Sequence, residues 1–266
     1  DAVNTTREAL ADHSVPAIYE AAFTSERIRT RVDILFRSGR NAFDLIEVKS
    51  STGVKPPHIP DVAIQLHVLE GSGVNIKKAY LMHIDNTYVY QGGRYELDRL
   101  FRLEDITREA RAFMSATIPS ALASMWEVLE ANEAPAISSG PHCTTPYGCP
   151  FHGYCHQEEP EHPVRELPRA NSEVLGALEK SGIDDIREIP ANFPGLTTTQ
   201  KRVRDCVATA QPYVSAEIAS GLRQVKFPMQ FLDFETFNPG LPVYVGTRPY
   251  QVIPFQWSLH VRDSTG

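Results

Sequence analysis

The sequence predicts an α/β fold in which a mixed sheet is flanked by helices, followed by a helical segment and a second, incomplete sheet. The first observation is a series of apolar segments between residues 15 and 51, joined by connections short enough for hairpins. The second is the helical pattern of residues 106–132 and 171–210. The third is strand-like sequence from about residue 227, too close to residue 266 for a complete domain.

Three strands are predicted near the start of the chain, after residues 1–12, which have the pattern of the end of a helix. They cover residues 15–23, 28–39 and 41–51. Their connections are short and polar, as antiparallel hairpins require. The sheet is therefore expected to begin as an antiparallel three-stranded unit.

A helix and a further strand follow. The segment KPPHIP interrupts the strand pattern, and Asp61 is expected to cap a helix that ends at the Gly-Ser-Gly of residues 71–73. Residues 77–85 are predicted to form the next strand, and residues 86–93, NTYVYQGG, to extend the sheet. The predicted order is β-β-β-α-β.

The middle of the chain is predicted to be mainly helical. A helix over residues 106–132 is expected to break at Ile118-Pro119. Residues 171–210 are expected to form short helices around a Ser-Gly-Ile turn, which either contacts a phosphate backbone or belongs to a packed helical spacer. These patterns divide the chain into three predicted regions, residues 1–157, 158–222 and 223–266.

Composition limits the classes of function. The chain has 266 residues, 42% of them hydrophobic and 22% charged, which predicts a packed core. No apolar run reaches the roughly 18 residues of a transmembrane helix, and no signal peptide is recognisable. We therefore expect a cytoplasmic protein without a membrane partner, although Asp1 in place of Met indicates a fragment. The net charge of −7 argues against a nonspecific nucleic-acid coat protein but allows a nuclease with an acidic metal site.

The strand FDLIEVKSS, residues 43–51, carries an acid and a base two positions apart. Glu47 and Lys49 therefore share one face of the strand. A hairpin that turns around Arg40 sets Asp33 of the preceding strand opposite Glu47, with Cβ atoms about 5 Å apart. Two carboxylates this close repel each other unless a cation lies between them, and Mg²⁺ prefers carboxylate oxygens.

Two further side chains fit a metal site at this strand. Lys49 could orient or deprotonate a metal-bound water, or stabilise charge on a phosphate. Gln65, four residues after Asp61 on the predicted helix, could reach the same cleft. The alternative is an ordinary ion pair between Asp33 and Lys49. The neighbouring residues are apolar on both faces, where unpaired charges are costly, and this favours the metal site.

The pattern D-x(n)-ExK on a hairpin, followed by a helix with Gln, resembles the PD-(D/E)XK nucleases. RVDIL, LIEVKSS and DVAIQLHVL are similar to their RecB-like branch. The resemblance covers about residues 1–157 and implies a restriction-endonuclease-like core. In that family the Asp, the Glu and the carbonyl after the Glu hold Mg²⁺ or Mn²⁺, the Lys acts at the attacking water, and the Gln orders the site. These roles would fall on Asp33, Glu47, Val48, Lys49 and Gln65.

Three cysteines, Cys143, Cys149 and Cys155, follow one another at intervals of six residues. Pro and Gly residues between them allow tight turns, so the thiolates can converge on zinc or on an iron–sulfur cluster. Both usually need a fourth ligand. The histidines available for a Cys₃His zinc site are His142, His152 and His156. Cys206 lies in a helical pattern and is expected to be a small buried apolar residue.

The nuclease resemblance implies a different set of ligands. AddB-type nucleases and the CRISPR-associated adaptation nucleases hold a 4Fe–4S cluster with one cysteine before the nuclease core and three after it. Here three follow the core, so the fourth would lie upstream of Asp1. The spacing is looser than the CxxC common in those relatives. Zinc and reduced free cysteines therefore remain alternatives.

A second acidic pair, Asp233 and Glu235, lies in the predicted strand QFLDFETF. Its DxE pattern resembles the first motif of the DEDD exonucleases, which have an RNase H-like fold and use two metal ions. FLDFET with the downstream GTRPYQVIPFQWSLH also resembles an uncharacterised domain fused to RecB-like nucleases. The alternative is a strand with two edge carboxylates. With only the first motif present, this segment is expected to be inactive.

These observations together predict a metal-dependent deoxyribonuclease. It would hydrolyse phosphodiester bonds of DNA, single-stranded or at duplex ends, in DNA repair or defence. One alternative is a catalytically inactive nucleic-acid-binding module built on the same core. The other is an interaction domain stabilised by zinc at the cysteines.

Overall fold

The computed structural model describes residues 1–137, 140–155 and 159–265. The chain divides into two compact units. The first comprises Asp1–Pro135 and Leu232–Leu259, and the second Ala136–Phe231 and His260–Gly266. No helix in the described part of the chain is long and apolar enough to cross a membrane.

The first unit is built on a five-stranded mixed sheet. Its strands are β1 (Ala17–Ser25), β2 (Ile28–Gly39), β3 (Ala42–Lys49), β4 (Ile76–Ile84) and β5 (Phe101–Asp105). They are arranged in sequence order, with β3 and β4 parallel and all other neighbours antiparallel. The predicted α/β fold with a mixed sheet flanked by helices is confirmed.

Five helices belong to the same unit. They are α1 (Ala2–Ala11), α2 (His58–Gly71), α3 (Leu97–Leu100), α4 (Thr107–Ala116) and α5 (Ile118–Glu130). Helix α2 makes the crossover between the parallel strands β3 and β4 and packs on the sheet and on α4. The predicted break at Ile118-Pro119 is confirmed, because α4 ends and α5 begins there.

The core of the first unit lies between the sheet and α2. Leu35 and Leu45, paired across β2 and β3, are completely buried, as are Leu66 and Leu69 of α2. Each buried leucine contributes about 2 kcal/mol relative to exposure, so this layer fixes α2 against the end of β3. The position of α2 matters because its polar residues lie beside the charged residues of β3.

Helix α2 begins three residues earlier than the expected cap at Asp61. It starts at His58, after Pro57, and Asp61 lies within its first turn. Proline is tolerated there because the first amides of a helix have no intrahelical partner. The His58 ring stabilises the start, since its Nδ1 accepts a hydrogen bond from the Lys55 amide at 3.0 Å. The prediction that Asp61 caps the helix was wrong.

Residues 86–93 do not extend the sheet, and β5 takes that position instead. Asp85 accepts a hydrogen bond from the Thr87 amide and forms a tight turn at the end of β4. Gly92 and Gly93 have φ angles of 92° and 73°, which a regular strand does not allow. The strand predicted for NTYVYQGG was therefore wrong.

The second unit contains a small helical core of its own. Its helices are α6 (His152–Cys155), α7 (Ser172–Lys180), α8 (Thr198–Thr209) and α9 (Ile218–Gln224). Short 3₁₀ turns lie before α6 at Pro141–Cys143, and between the helices at Val164–Glu166 and Ile186–Glu188. In the Ser-Gly-Ile turn after α7, the amides of Gly182 and Ile183 donate to carbonyls of α7. These amides are used inside the fold, which favours the packed spacer over a phosphate contact.

A separate two-stranded sheet is formed by β6 (Met229–Phe237) and β7 (Ile253–Arg262). The strand predicted at QFLDFETF is confirmed, because β6 contains all of it. Their large apolar side chains are exposed, including Phe231, Phe234 and Trp257. Within the part of the chain that the structure describes, this sheet consists of the two strands only.

Candidate active site

The polar residues predicted for the metal site meet at the end of β3. Strands β2 and β3 pair so that facing residue numbers add up to 80, from Arg37 with Phe43 to Ile34 with Ile46. In the same register, the next two facing positions are Asp33 and Glu47. The Asp33 carboxylate reaches β3 directly, since its Oδ2 accepts a hydrogen bond from the Val48 amide at 2.7 Å.

Lys49 lies between two carboxylates. Its Nζ is 2.6 Å from Oε1 of Glu47 and 2.5 Å from Oδ2 of Asp61. The ion pairs of Lys49 are therefore made to β3 and α2, not to Asp33 as the alternative interpretation supposed. Lys49 links the strand to the helix.

Gln65 closes the network on the helix side. Its Nε2 donates to Oε2 of Glu47 at 2.8 Å and lies 3.4 Å from Oδ1 of Asp61. The Gln65 side chain is buried, and its Oε1 has no hydrogen-bond partner within the described residues. A buried acceptor without a donor is costly, so a ligand or water that donates to it would be stabilised.

Burial is the largest influence on the pKa of Glu47. The residue is only 6% exposed, and this burial raises the pKa of its carboxyl. Hydrogen bonds from Lys49 and Gln65 act in the opposite direction, while the negative charge of Asp33 raises the pKa further. The influence of Asp33 on Glu47 is the repulsion that a divalent cation would relieve.

Lys49 is held in its charged form. Burial opposes the charge, but hydrogen bonds to Asp61 and Glu47 outweigh it and raise the pKa of the ammonium above its ordinary value. An ammonium with a raised pKa cannot accept a proton at neutral pH. In this arrangement Lys49 can donate hydrogen bonds and stabilise negative charge, so of the predicted roles the geometry favours these over deprotonation of water.

Asp61 is the residue of this network that the sequence interpretation assigned to a different role. It lies four residues before Gln65, and residues at this spacing share one side of a helix. That spacing was the available signal, because it places Asp61 on the side of α2 that carries Gln65. His58, three residues before Asp61 on α2, is buried. Burial together with the charge of Lys49 lowers the pKa of the His58 ring.

The oxygen donors at this site match the chemistry of Mg²⁺ or Mn²⁺. Asp33 and Glu47 carry carboxylates. Val48, which lies between Glu47 and Lys49 in the sequence, carries a main-chain carbonyl. Among the described residues, no group of three or more His, Cys, Asp and Glu side chains is arranged to hold a metal ion. A site of two carboxylates and one carbonyl does not require such a group. Asp33, Glu47 and the Val48 carbonyl are thus the oxygen donors that could hold the predicted metal, which stays a prediction.

The three predicted cluster cysteines lie in the second unit. Cys143 is buried, Cys149 half-buried and Cys155 exposed. The Cys149 amide donates to the Cys143 carbonyl at 2.8 Å, which closes the loop between these two cysteines. Of the histidines proposed as partners, His156 lies outside the described residues. The 4Fe–4S and zinc assignments stay predictions. Cys206, expected to be buried, is half-buried on α8.

The second acidic pair has different surroundings. Asp233 and Glu235 are both exposed on β6. Oδ1 of Asp233 accepts a hydrogen bond from the amide of Phe234, its own neighbour, at 2.9 Å. The structure brings together Asp33, Glu47, Lys49 and Gln65, whereas Asp233 and Glu235 lie on a different sheet.

Part of the chain matches a known protein family. Residues 230–266 match a family described as a domain of unknown function, DUF2779. No curated protein matches the chain. The matched range contains β7, nearly all of β6 and the Asp233–Glu235 pair. Over these residues the chain is similar to that family, and the candidate site at β3 lies outside the match.

Proposed function

We propose that this protein is a metal-dependent nuclease that hydrolyses phosphodiester bonds of DNA at the end of β3, on a core of the PD-(D/E)XK type. One observation carries the proposal. Lys49 is held as an ammonium between Glu47 and Asp61, next to a buried Gln65 and beside the Asp33 carboxylate. A purely structural ion pair between Lys49 and one acid would need neither the two further carboxylates nor an unsatisfied buried amide oxygen.

Asp33, Glu47 and the Val48 carbonyl would hold Mg²⁺ or Mn²⁺. The bound metal would act as a Lewis acid on the phosphate and lower the pKa of a coordinated water. Asp33 is oriented for this by the Val48 amide, which fixes one carboxylate oxygen at β3. Glu47 is oriented by Gln65 and Lys49, which bind one oxygen each. Both ligands are therefore positioned before any metal arrives.

Lys49 supplies positive charge at the point where the phosphate develops negative charge. Because its ammonium keeps its proton, it stabilises that charge as a hydrogen-bond donor. Asp61 is a positioning residue in this proposal. It fixes Lys49 from the helix side and lies within reach of the Gln65 amide, so that α2 and β3 hold the site as one unit.

The direct test is cleavage by the purified chain. Fluorescently labelled single-stranded and duplex DNA are incubated with Mg²⁺, with Mn²⁺ or with EDTA. We expect metal-dependent cleavage that Glu47→Ala lowers by at least about 100-fold, the effect of removing a metal ligand. Glu235→Ala is the matched control, because it removes an exposed acid two positions from another acid on a strand.

Two outcomes would overturn the proposal. One is wild-type cleavage that Glu47→Ala leaves intact, which would place the activity elsewhere. The other is DNA binding by the wild type without cleavage under either metal, which would favour the inactive binding module. A melting temperature of Glu47→Ala close to that of the wild type is required before a loss of cleavage is attributed to the site.

A further inference from the structure

A segment of the chain close to the C-terminus is fixed against the loop that follows β4. This docked segment comprises residues 239–250 and lies inside the range that matches the domain of unknown function. The Tyr90 amide donates to the Thr247 carbonyl at 3.0 Å, and the Gly246 amide donates back to the Tyr90 carbonyl at 2.8 Å. The Tyr95 hydroxyl adds a third hydrogen bond, to the Pro242 carbonyl at 3.0 Å.

Two glycines leave room for close contacts, Gly92 between the loop and the docked segment and Gly240 within the docked segment itself. A Cβ on Gly92 would lie 3.2 Å from Cγ2 of Val245, and Gly92 has a φ angle of 92°. A Cβ on Gly240 would lie 3.3 Å from the Tyr250 hydroxyl. Pro242 is among the fully buried residues. The docked segment is thus held at particular points, Pro242 among them, while side chains such as Val243 and Tyr244 stay exposed.

Tyr250 is the residue of this segment that reaches the candidate site. Its ring packs against a small core formed by Ile84, Tyr88 and Leu100. Its hydroxyl donates a hydrogen bond to the Ser50 carbonyl. Its backbone has a φ angle of 57°, which is unfavourable for an aromatic residue and persists only where the surroundings fix it.

Ser50 directly follows Lys49, the last residue of β3. A contact that holds Ser50 therefore also restrains the end of this strand. On the β4 side, Lys49 pairs with His83, and the Ile84 amide donates to the Ser51 carbonyl at 3.1 Å. Tyr250 provides a further hydrogen bond at Ser50, the residue between Lys49 and Ser51. The backbone that carries the Lys49 ammonium is therefore fixed by β4 and by the docked segment together.

We propose that Tyr250 is a positioning residue, which holds the Ser50 carbonyl and thereby fixes the end of β3 and the location of Lys49. The expected effect on DNA cleavage rests on the proposed function, whereas the expected effect on the backbone at the end of β3 does not. The proposal makes the segment matched to the domain of unknown function a structural part of the site at β3.

The test compares Tyr250→Phe with Tyr244→Phe in the full chain. Both variants remove one hydroxyl from the docked segment. The Tyr244 side chain is exposed, and among the described residues its contacts are made by its ring and its carbonyl. Amide hydrogen exchange is measured by mass spectrometry in peptides that cover residues 48–52 and 82–86. Loss of one hydrogen bond is expected to speed exchange there about fivefold in Tyr250→Phe.

The second readout is steady-state cleavage. Tyr250→Phe is expected to lower kcat about 5- to 10-fold with an unchanged KM for DNA, because Lys49 is displaced while the rest of the binding surface is intact. Tyr244→Phe should match the wild type. Gly240→Ala, which places a methyl group against the Tyr250 hydroxyl, is a second perturbation if Tyr250→Phe folds poorly.

The outcomes separate the two proposals. If exchange at residues 48–52 is the same in Tyr250→Phe and Tyr244→Phe, the positioning role is wrong even when the wild type cleaves DNA. If exchange rises but kcat does not fall in an active enzyme, Tyr250 supports the fold only and the proposal is also wrong. If the wild type does not cleave, the proposed function fails, and the exchange measurement alone decides whether Tyr250 fixes the end of β3.

Discussion

Two strands of this protein carry charged residues at the same spacing but in opposite surroundings. Glu47 and Lys49 lie on β3, the middle strand of a five-stranded sheet, and Glu47 is only 6% exposed. Asp233 and Glu235 lie on β6, which belongs to a two-stranded sheet, and both are exposed. The i, i+2 spacing puts each pair on one face of its strand.

The difference teaches that the spacing alone does not make a site. On β3 the pair is completed by residues from other elements: Asp33 from β2, and Asp61 and Gln65 from α2. On β6, Asp233 binds the amide of its own neighbour. Burial strengthens the interactions on β3 because charges removed from water act on each other through a lower dielectric constant. The following variants test this contrast.

The largest difference is expected for loss of the cation on β3. Lys49→Met keeps the length of the side chain but leaves the buried Glu47 without its ion-pair partner. Breaking a buried pair in this way costs about 3 kcal/mol of unfolding free energy at pH 8. Asp233→Asn on β6 should change it by less than about 0.5 kcal/mol, as exposed substitutions usually do.

Urea unfolding followed by tryptophan fluorescence measures both variants, because Trp126 and Trp257 belong to the first unit. Equal effects of the two substitutions would show that the buried network on β3 contributes no more than an exposed acid. Lys49→Met should also abolish metal-dependent cleavage, since the donor for the phosphate charge is lost.

A smaller effect is expected for Asp61→Asn. The amide retains the size of the side chain but removes the negative charge that lies beside the Lys49 ammonium. Cleavage should therefore fall about 10-fold, and the pKa of the Lys49 ammonium should fall as well. Glu109→Gln is the control, because Glu109 is an acid in the first turn of α4 as Asp61 is in α2. It separates the contact with Lys49 from the general effect of an acid at a helix start.

NMR titration of the Lys49 side chain measures this pKa directly and does not depend on catalysis. An unchanged Lys49 pKa in Asp61→Asn would contradict the positioning role of Asp61. A fall in cleavage of equal size in Glu109→Gln would assign the effect to the helix start instead.

The same contrast explains how much the sequence could predict. The hairpin register followed from local pattern, because the turn near Arg40 and the alternation of β2 and β3 fix which residues face each other. Gln65 followed from helix periodicity. Asp61 was assigned to a cap because only tertiary packing brings Lys49 to α2. Residues 86–93 were predicted as a strand because they contact residues 245–247, which lie far away in the sequence, and such contacts leave no local pattern.

The finest test of the contrast is the pH dependence of stability without metal. Because burial raises the pKa of Glu47, the folded protein holds this proton more tightly than the unfolded chain does. This contribution is fully present below the ordinary pKa of 4.5 and is lost as pH rises through the raised value. In EDTA the wild type should therefore lose stability relative to Glu47→Gln on going from about pH 4.5 toward neutrality.

Saturating Mg²⁺ should oppose this loss, because the metal binds only the ionised carboxylate. Glu235→Gln controls for the removal of one carboxylate. A stability difference between wild type and Glu47→Gln that stays constant across this range would contradict a raised Glu47 pKa and, with it, the distinction between the two acidic strands.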